Sequence, residues 1–438
     1  MNLFLKECKA IGKSIIFLVF VCAVVLFYTS QASGTEEMHV RQYYEKDKTE
    51  NAFLYCPFIE PPEGAENYGA KYAEIPEKIM PKAVSSLVVD WQSNKYTVYN
   101  AFGLGRQSKL DDEKKAEIAQ IVFDVTGIEA EKIYSLTYDK MMAYPDNTIF
   151  NDMDFADVIP IAVTYDEYKE KMRQVDKILG GIYGATKFQS NSSVPMTYEE
   201  KLEEYNGFMS YDRITGAYAR LFCDYMGIVA ALFSVFVPVA FLMRDKRAKA
   251  NELIFSRDIS SKKLILVRYA AMVFMMLMPF IVLSSFPSVY LIAFASKNNM
   301  PVDIFAFLKY IVAWILPTLM TTAAVALIIT TITDSPLAIA VQFIWSFISL
   351  TLGGFAACNS GTGDLIYYGM NLLIRHNSLN LQFYKENLTQ IALNRIFYTT
   401  LSLALVVLTI YIYEQKRKGE FDVRGSLRKV FGNRKKAD

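Results

Sequence analysis

The side chains of this chain that have the means to do chemistry fall into three groups, and two of them lead nowhere. Asp152, Asp154 and Asp157 are close enough in sequence to offer oxygens to a hard cation, but three acids in a polar stretch are also the ordinary make-up of a solvated face. Gly181-Ile-Tyr-Gly184-Ala-Thr-Lys187 brings glycines and a lysine together without the spacing by which a loop cradles phosphates. There is no His-Glu-x-x-His for zinc and no Gly-x-Ser-x-Gly for a nucleophilic serine. His39 and His376 stand far apart, and Cys8, Cys22, Cys56, Cys223 and Cys358 are scattered, so neither a metal site nor a disulfide framework can be read from them. The expectation is a chain with no catalytic residue, no metal and no cofactor of its own, which does not hydrolyse ATP.

The third group is a run whose chemistry is that of docking. Arg244 to Arg268, RDKRAKANELIFSRDISSKKLILVR, is basic and partly amphipathic. Within it Leu253, Ile254 and Phe255, flanked by Glu252 and Arg257, make a compact apolar knob suited to a groove on a partner. The blander reading is a basic loop that snorkels at a membrane surface. Ala250 to Phe255 reads as a short helix, followed by a turn and a second helix capped by Ser260 or Ser261.

The elements that must position this run are apolar. Spans of a length to cross a bilayer fall at 14–31, 220–243, 269–295, 304–332 and 336–357, with a shorter one at 395–414. Lysine and arginine resist translocation, so 244–268 is expected to be a cytoplasmic loop. Lys6, Lys9 and Lys13 precede the first span and a basic tail, 415–438, follows the last, which places both termini in the cytoplasm and requires an even number of spans. The net charge of +1 hides an acidic 32–219 against a basic remainder. A cleaved signal peptide ending near Gln31-Ala32-Ser33 is the alternative for the first span, but it would leave an odd number.

Residues 32–219 are long enough for a domain with its own core on the outer side. Asp111 to Thr126 predicts a helix with Ile118, Ile121, Val122 and Val125 on one face, and Tyr168 to Leu179 predicts another that stops at Gly180-Gly181. KIYSLTYD, Lys132 to Asp139, and DVIPIAVTYD, Asp157 to Asp166, predict strands; Cys56 to Pro62 and Gln189 to Pro195 predict loops. Ser296 to Asp303 and Thr333 to Pro336 are brief connections, and 358–394 is a second outer segment whose Leu379 to Ile396 suggests an interfacial helix. In the spans, Asp224 and Lys309 lie near ends. The middle offers Thr318, Thr321, Thr322, Thr330, Thr331, Thr333, Gln342 and Ser346, read as helix packing before any substrate path. Pro238, Pro279, Pro287 and Pro317 are expected to kink or interrupt their helices. The fold class is thus an α-helical membrane protein of six transmembrane helices with an inserted α+β extracellular domain.

ANELIFSRDISSKKLILVRYAAMV resembles the coupling segment and third span of ABC-2-type transporter permeases, with their Glu-Leu, Ser-Arg, Ile-Ser and Lys-Leu series. The order of parts is similar to a Gram-positive bacterial branch of that family, as are VDKILGG at Val175 to Gly181 and ITGAYARLFCDYMGI at Ile214 to Ile228. The large outer domain departs from the shorter members. The resemblance implies a permease in the cell membrane that pairs with itself or a sister permease. It would bind two copies of a separate ATPase, on which ATP and Mg reside. Glu252, Leu253, Ser256, Arg257, Ile259 and Ser260 would be coupling residues, with Phe255 completing the knob beside them. Met1 to Lys13 would be an interfacial connecting helix, compatible with Leu3, Phe4 and Ile11 interleaved among lysines. The function expected is export of a peptide, lipid-like or amphipathic compound, with the bilayer and no nucleic acid as the other partner. The alternative is a membrane sensor whose outer domain binds a ligand.

Overall fold

The computed structural model of the chain describes residues 3–46, 51–99, 105–143, 153–184, 192–248, 259–358, 371–374 and 381–420. Two compact units emerge, one of 1–63, 202–353 and 365–438, the other of 64–201 and 354–364. The first unit begins with α1 (Leu3–Gly12), which buries Glu7, Cys8 and Ile11 and exposes Lys6 and Lys9. After Ser14 comes α2 (Ile15–Phe27), apolar throughout, which continues through a wide turn at Tyr28–Ala32 to α3 (Thr35–Met38). Val40, Cys56 and Phe58 then join the same buried cluster as the spans, with the Tyr44 and Phe58 rings 5.1 and 5.4 Å from that of Phe294. The apolar residues of this segment fall in runs too short to read as a span, which is why the sequence assigned it to the outer domain.

The second unit carries a small amount of sheet. β1 (Ala70–Ala73) pairs antiparallel with β5 (Ser192–Pro195), and β2 (Tyr96–Tyr99) lies between β3 (Gly105–Ser108) and β4 (Ile182–Tyr183). Between the strands run α4 (Pro76–Ser93), α5 (Asp112–Thr126), α6 (Ala130–Ala143) and α7 (Tyr165–Leu179). The core joins Val84, Leu87 and Val88 of α4 to Ile118, Ile121, Val122 and Val125 of α5 and Met172 and Val175 of α7. Asp111 caps α5 by accepting from the Lys114 N–H, and Thr164 with Glu167 forms a reciprocal box at the start of α7. Lys132 to Asp139 is helical, not extended. Its period-two look masks Ala130, Ile133 and Thr137 at helical spacing on the buried face of α6. Asp157 to Thr164 of the second expected strand is turn and irregular chain, and Tyr165 starts α7; Ser192 to Pro195 of the expected loop is β5 instead. α8 (Tyr198–Gly207) follows.

At the end of α7 the two glycines do different work. Gly180 takes φ of 71°, the left-handed stop of the helix, whereas a Cβ on Gly181 would meet Val98 Cγ1 at 2.6 Å and the Tyr99 carbonyl oxygen at 2.9 Å. Gly181→Ala is therefore expected to push α7 off β2 and cost about 1–3 kcal/mol, read as a lowered unfolding temperature of the purified chain.

The first unit resumes with α9 (Thr215–Phe233) and α10 (Phe236–Arg247), separated at Ser234-Val235, four residues or fewer before Pro238. Proline lacks the N–H that would bond the carbonyl four residues back, here that of Ser234, so the break falls where the ladder loses a rung. α11 (Ser261–Lys297) is 37 residues long and keeps Pro279 and Pro287 inside it. α12 (Ala306–Tyr310) leads through a wide turn to α13 (Leu316–Thr333), with Pro317 in its first turn, where a missing N–H costs nothing. α14 (Leu337–Cys358), α15 (Leu381–Glu386) and α16 (Leu388–Lys418) are the last helices among the described residues. The expected interfacial helix at 379–396 is thus split, and from Leu388 it is simply the start of α16. Among the described residues five helical stretches are long and apolar enough to cross a bilayer: Ile15–Glu45, Thr215–Arg244, Ser261–Lys297, Ala306–Thr333 and Leu388–Lys418. Rows of exposed apolar residues, such as Val282, Phe286 and Val289 or Leu403, Val407 and Tyr411, suit lipid. The protein is a multi-pass membrane protein.

Candidate functional site

The expected docking run lies in part beyond the described residues: of its site residues, Glu252, Leu253, Phe255, Ser256 and Arg257 fall outside them, while Ile259 and Ser260 are described. What the structure shows is how the two ends of that run are fastened. On one side α1 packs across α11, with the Phe4 ring edge-on to Phe274 at 5.7 Å. Glu7 on α1 then lies 3.6 Å from Arg268 Nε on α11 and 3.7 Å from Arg244 Nη2 on α10. One buried carboxylate thus faces a cation from each helix flanking the run. The stem of Arg244 also brings its guanidinium to 4.6 Å from the Phe241 ring.

On the other side, the last turns of α16 hold the run's C-terminal end. Arg417 Nη1 donates to the Ile259 carbonyl at 2.9 Å, and Ser261 Oγ donates to Glu414. Ser260 caps α11 by accepting from the Lys263 N–H, as the sequence suggested it or Ser261 would. Lys416 donates to Asp334 at 2.8 Å and to the Thr331 carbonyl, so the α13–α14 turn joins the same collar. Asp334 sits there at φ of 52°, a left-handed position that aspartate tolerates. Helices α1, α10, α11, α13 and α16 therefore form a polar collar at the two ends that flank 249–258. Glu7→Gln keeps the shape and removes the charge facing Arg268 and Arg244. It is expected to ease local opening of α1, so that the buried Cys8 thiol, in a chain stripped of its other cysteines, reacts with a water-soluble maleimide about tenfold faster.

Inside the first unit the hydroxyls named from sequence bond both to carbonyls one turn back in α13 and between helices. Thr321 Oγ1 donates to Pro317 O and lies 3.1 Å from Tyr398 O, and Thr322 Oγ1 donates to Thr318 O. Gln342 Nε2 reaches the Ala231 carbonyl at 3.0 Å and Ser346 Oγ reaches it at 3.0 Å. This is the packing reading. Two cations overlooked in the spans dominate the polar interior. Arg220 and Asp212, both 0% exposed, form a two-toothed ion pair, with Arg220 Nη2 donating to Asp212 Oδ2 at 2.7 Å. Arg395 is ringed by neutral acceptors: the carbonyls of Trp314, Asn371 and Leu372, Thr318 Oγ1 and Asn394 Oδ1. Lys309 pairs with Asp303 at 2.6 Å, and Asp224 is buried.

The signal for the collar was present but unread. Glu7 is the sole acid in α1, and Glu414 the sole acid among the closing residues of α16. A lone carboxylate inside a basic run is worth asking a partner of. Of the three acids weighed as a cation site, Asp154 and Asp157 lie on a solvated face, Asp154 3.3 Å from Lys78 and Asp157 2.6 Å from Lys140, whose hydrogen bond holds the Asp157 carboxyl below its usual range, while Asp152 is outside the described residues. Burial pushes the Cys56 thiol up to about 12, in keeping with a packing role. Among the described residues no three metal-ligating side chains gather. No protein-family model, curated protein or solved structure matches the chain.

Proposed function

We propose that the chain is the membrane-spanning permease subunit of an ATP-binding-cassette transporter, exporting a peptide, lipid-like or amphipathic compound. In this reading α14, 22 residues and about 33 Å long, serves as the sixth span, and the second unit faces outward with both termini inside. The chain pairs with itself or a sister permease and docks two copies of a separate ATPase through 249–258. ATP is hydrolysed on those partners. The observation that supports it is the collar: a loop fastened at both ends to the surrounding helices passes a push on to the bundle, whereas a loose snorkelling loop would absorb it. The resemblance of ANELIFSRDISSKKLILVR to permease coupling segments points the same way.

The test is co-purification from the native host in mild detergent, with partners identified by mass spectrometry, for the wild type and a Leu253→Asp/Phe255→Asp variant. An ATPase with a phosphate-binding loop is expected with the wild type and at least tenfold less with the variant. Recovery of no ATPase in several detergents would overturn the reading and leave the ligand-sensing alternative.

A further inference from the structure

The break between α9 and α10 holds a hydrogen-bonding problem that its own side chains do not solve. Gln342 is fully buried, and its amide is oriented by the Ala231 carbonyl, which only accepts, so Nε2 must face it. Nε2 also lies 3.2 Å from Ser346 Oγ and 3.3 Å from Thr322 Oγ1. The protons of those two hydroxyls are already given away, that of Ser346 to Ala231 O and that of Thr322 to Thr318 O. Neither is left for Gln342 Oε1, and among the described residues that oxygen has no partner.

Ser234, at the start of the break three positions after Ala231, is the second such group. Its Oγ is fully buried and also has no partner among the described residues, although a serine in a helix ordinarily turns to the carbonyl three or four residues back. Three residues separate Ser234 from Ala231, which places it on the same helix face and ~4.5 Å further along the axis, the direction in which the Ala231 carbonyl points. One turn before Gln342 on α14, Ala338 packs with Val235 and Ala326, so the α14 face carrying Gln342 runs along this part of the break.

We infer that a bound water sits in the break, donating to Gln342 Oε1 and exchanging a hydrogen bond with Ser234 Oγ. A single oxygen with two protons and two lone pairs fits two orphans, one a pure acceptor and one both donor and acceptor. A cation would call for about six oxygens, and an anion would be repelled by the Gln342 and Ala231 oxygens. An apolar filling would leave both groups unsatisfied in the interior, where buried polar atoms are normally met by water if by nothing else. The break that Pro238 opens is thus wet, and α10, which leads directly to 249–258, turns on a water rather than on a dry kink.

Cryo-electron microscopy of the full chain in lipid nanodiscs, at a resolution that shows waters, should place a peak about 2.8 Å from both atoms. An ordered site with no peak, or with Ser234 bonded directly to Gln342, would overturn the inference. Independently, Ser234→Ala and Gln342→Met should each lower the unfolding temperature in detergent, while the double variant should fall no further than the worse single one, because the water leaves with its last partner. Losses that add in the double variant would mean that the two groups do not share a ligand. Neither result depends on what the protein transports.

Discussion

Asp212→Ala is expected to destabilise the first unit by about 3–5 kcal/mol, enough to remove most folded protein from the membrane fraction. Asp212 and Arg220 are both fully buried and share a two-toothed contact. The guanidinium is enclosed further by the Tyr384 ring at 4.5 Å and by the Tyr310 hydroxyl at 3.3 Å. Alanine at 212 removes the carboxylate that balances a cation no water can reach, and arginine does not escape by losing its proton. The pair also pins a strained corner. Ile214 has φ of 57° and ψ of −58°, with the Thr215 N–H 2.6 Å from the Arg213 carbonyl, which is a γ-turn of the rare positive-φ kind on a β-branched residue. Thr215 Oγ1 and the backbone of Asp303 exchange bonds on its other side. Asp212→Leu combined with Arg220→Met should fold better than Asp212→Ala alone, since it removes the unbalanced charge. Thermal unfolding of the three proteins in one detergent measures the difference; a double variant as unstable as the single one would place the cost in the corner's geometry and not in charge.

What the sequence let through, and what it withheld, follows from where each interaction's information lies. Helix α5 was legible because four apolar residues at 118, 121, 122 and 125 face one core, and Gly180-Gly181 read as a stop because a left-handed residue favours glycine. The strands were not. β2 and β3 are four residues each, and β3, GRQS, has no apolar pattern at all; its place comes from pairing with β2. KIYSLTYD misled because its apolar residues satisfy two periods over eight residues, and only the buried Ala130 ahead of it breaks the tie. The collar was half legible. Ser260 and the basic flanks were plain, but Arg417 acts on a backbone carbonyl, and a carbonyl carries no mark in a sequence. Arg220 and Arg395 were passed over for different reasons: one has its acid eight residues away around a corner that the sequence does not show, and most of the other's partners are carbonyls.

Arg395 gives the second large effect, and its chemistry predicts a different pattern of rescue. Its guanidinium ties three places together, the Trp314–Thr318 turn, the described piece 371–374 and its own neighbour Asn394. Arg395→Leu strips donors from the buried carbonyls of Trp314 and Leu372 and from the Thr318 hydroxyl. At about 1–3 kcal/mol for each buried group left unmet, a loss of about 3–5 kcal/mol is expected once partial relaxation is allowed. The acceptors are uncharged, however, so what is lost is hydrogen bonding and not the balance of a buried pair. Arg395→Gln keeps two N–H donors without a charge and should recover part of the loss, whereas Asp212→Asn beside Arg220 should recover little. Arg395→Lys has three donors on a point charge that cannot fan out in a plane to Trp314, Asn371 and Leu372 at once, and it should fall short of glutamine, because its charge must still be buried. Hydrogen exchange at the amides of 371–374 is the readout that separates these cases. It should rise in Arg395→Leu even where the rest of the unit stays folded, since that piece is then left with the Leu372 N–H bond to Ser349 Oγ and the Asn394 Nδ2 bond to the Asn371 carbonyl, having lost the arginine's bonds to the Asn371 and Leu372 carbonyls. Protection there equal to wild type would mean that packing of Leu372 and Leu373 against Ala231 and Tyr398, and not the arginine, fixes the segment.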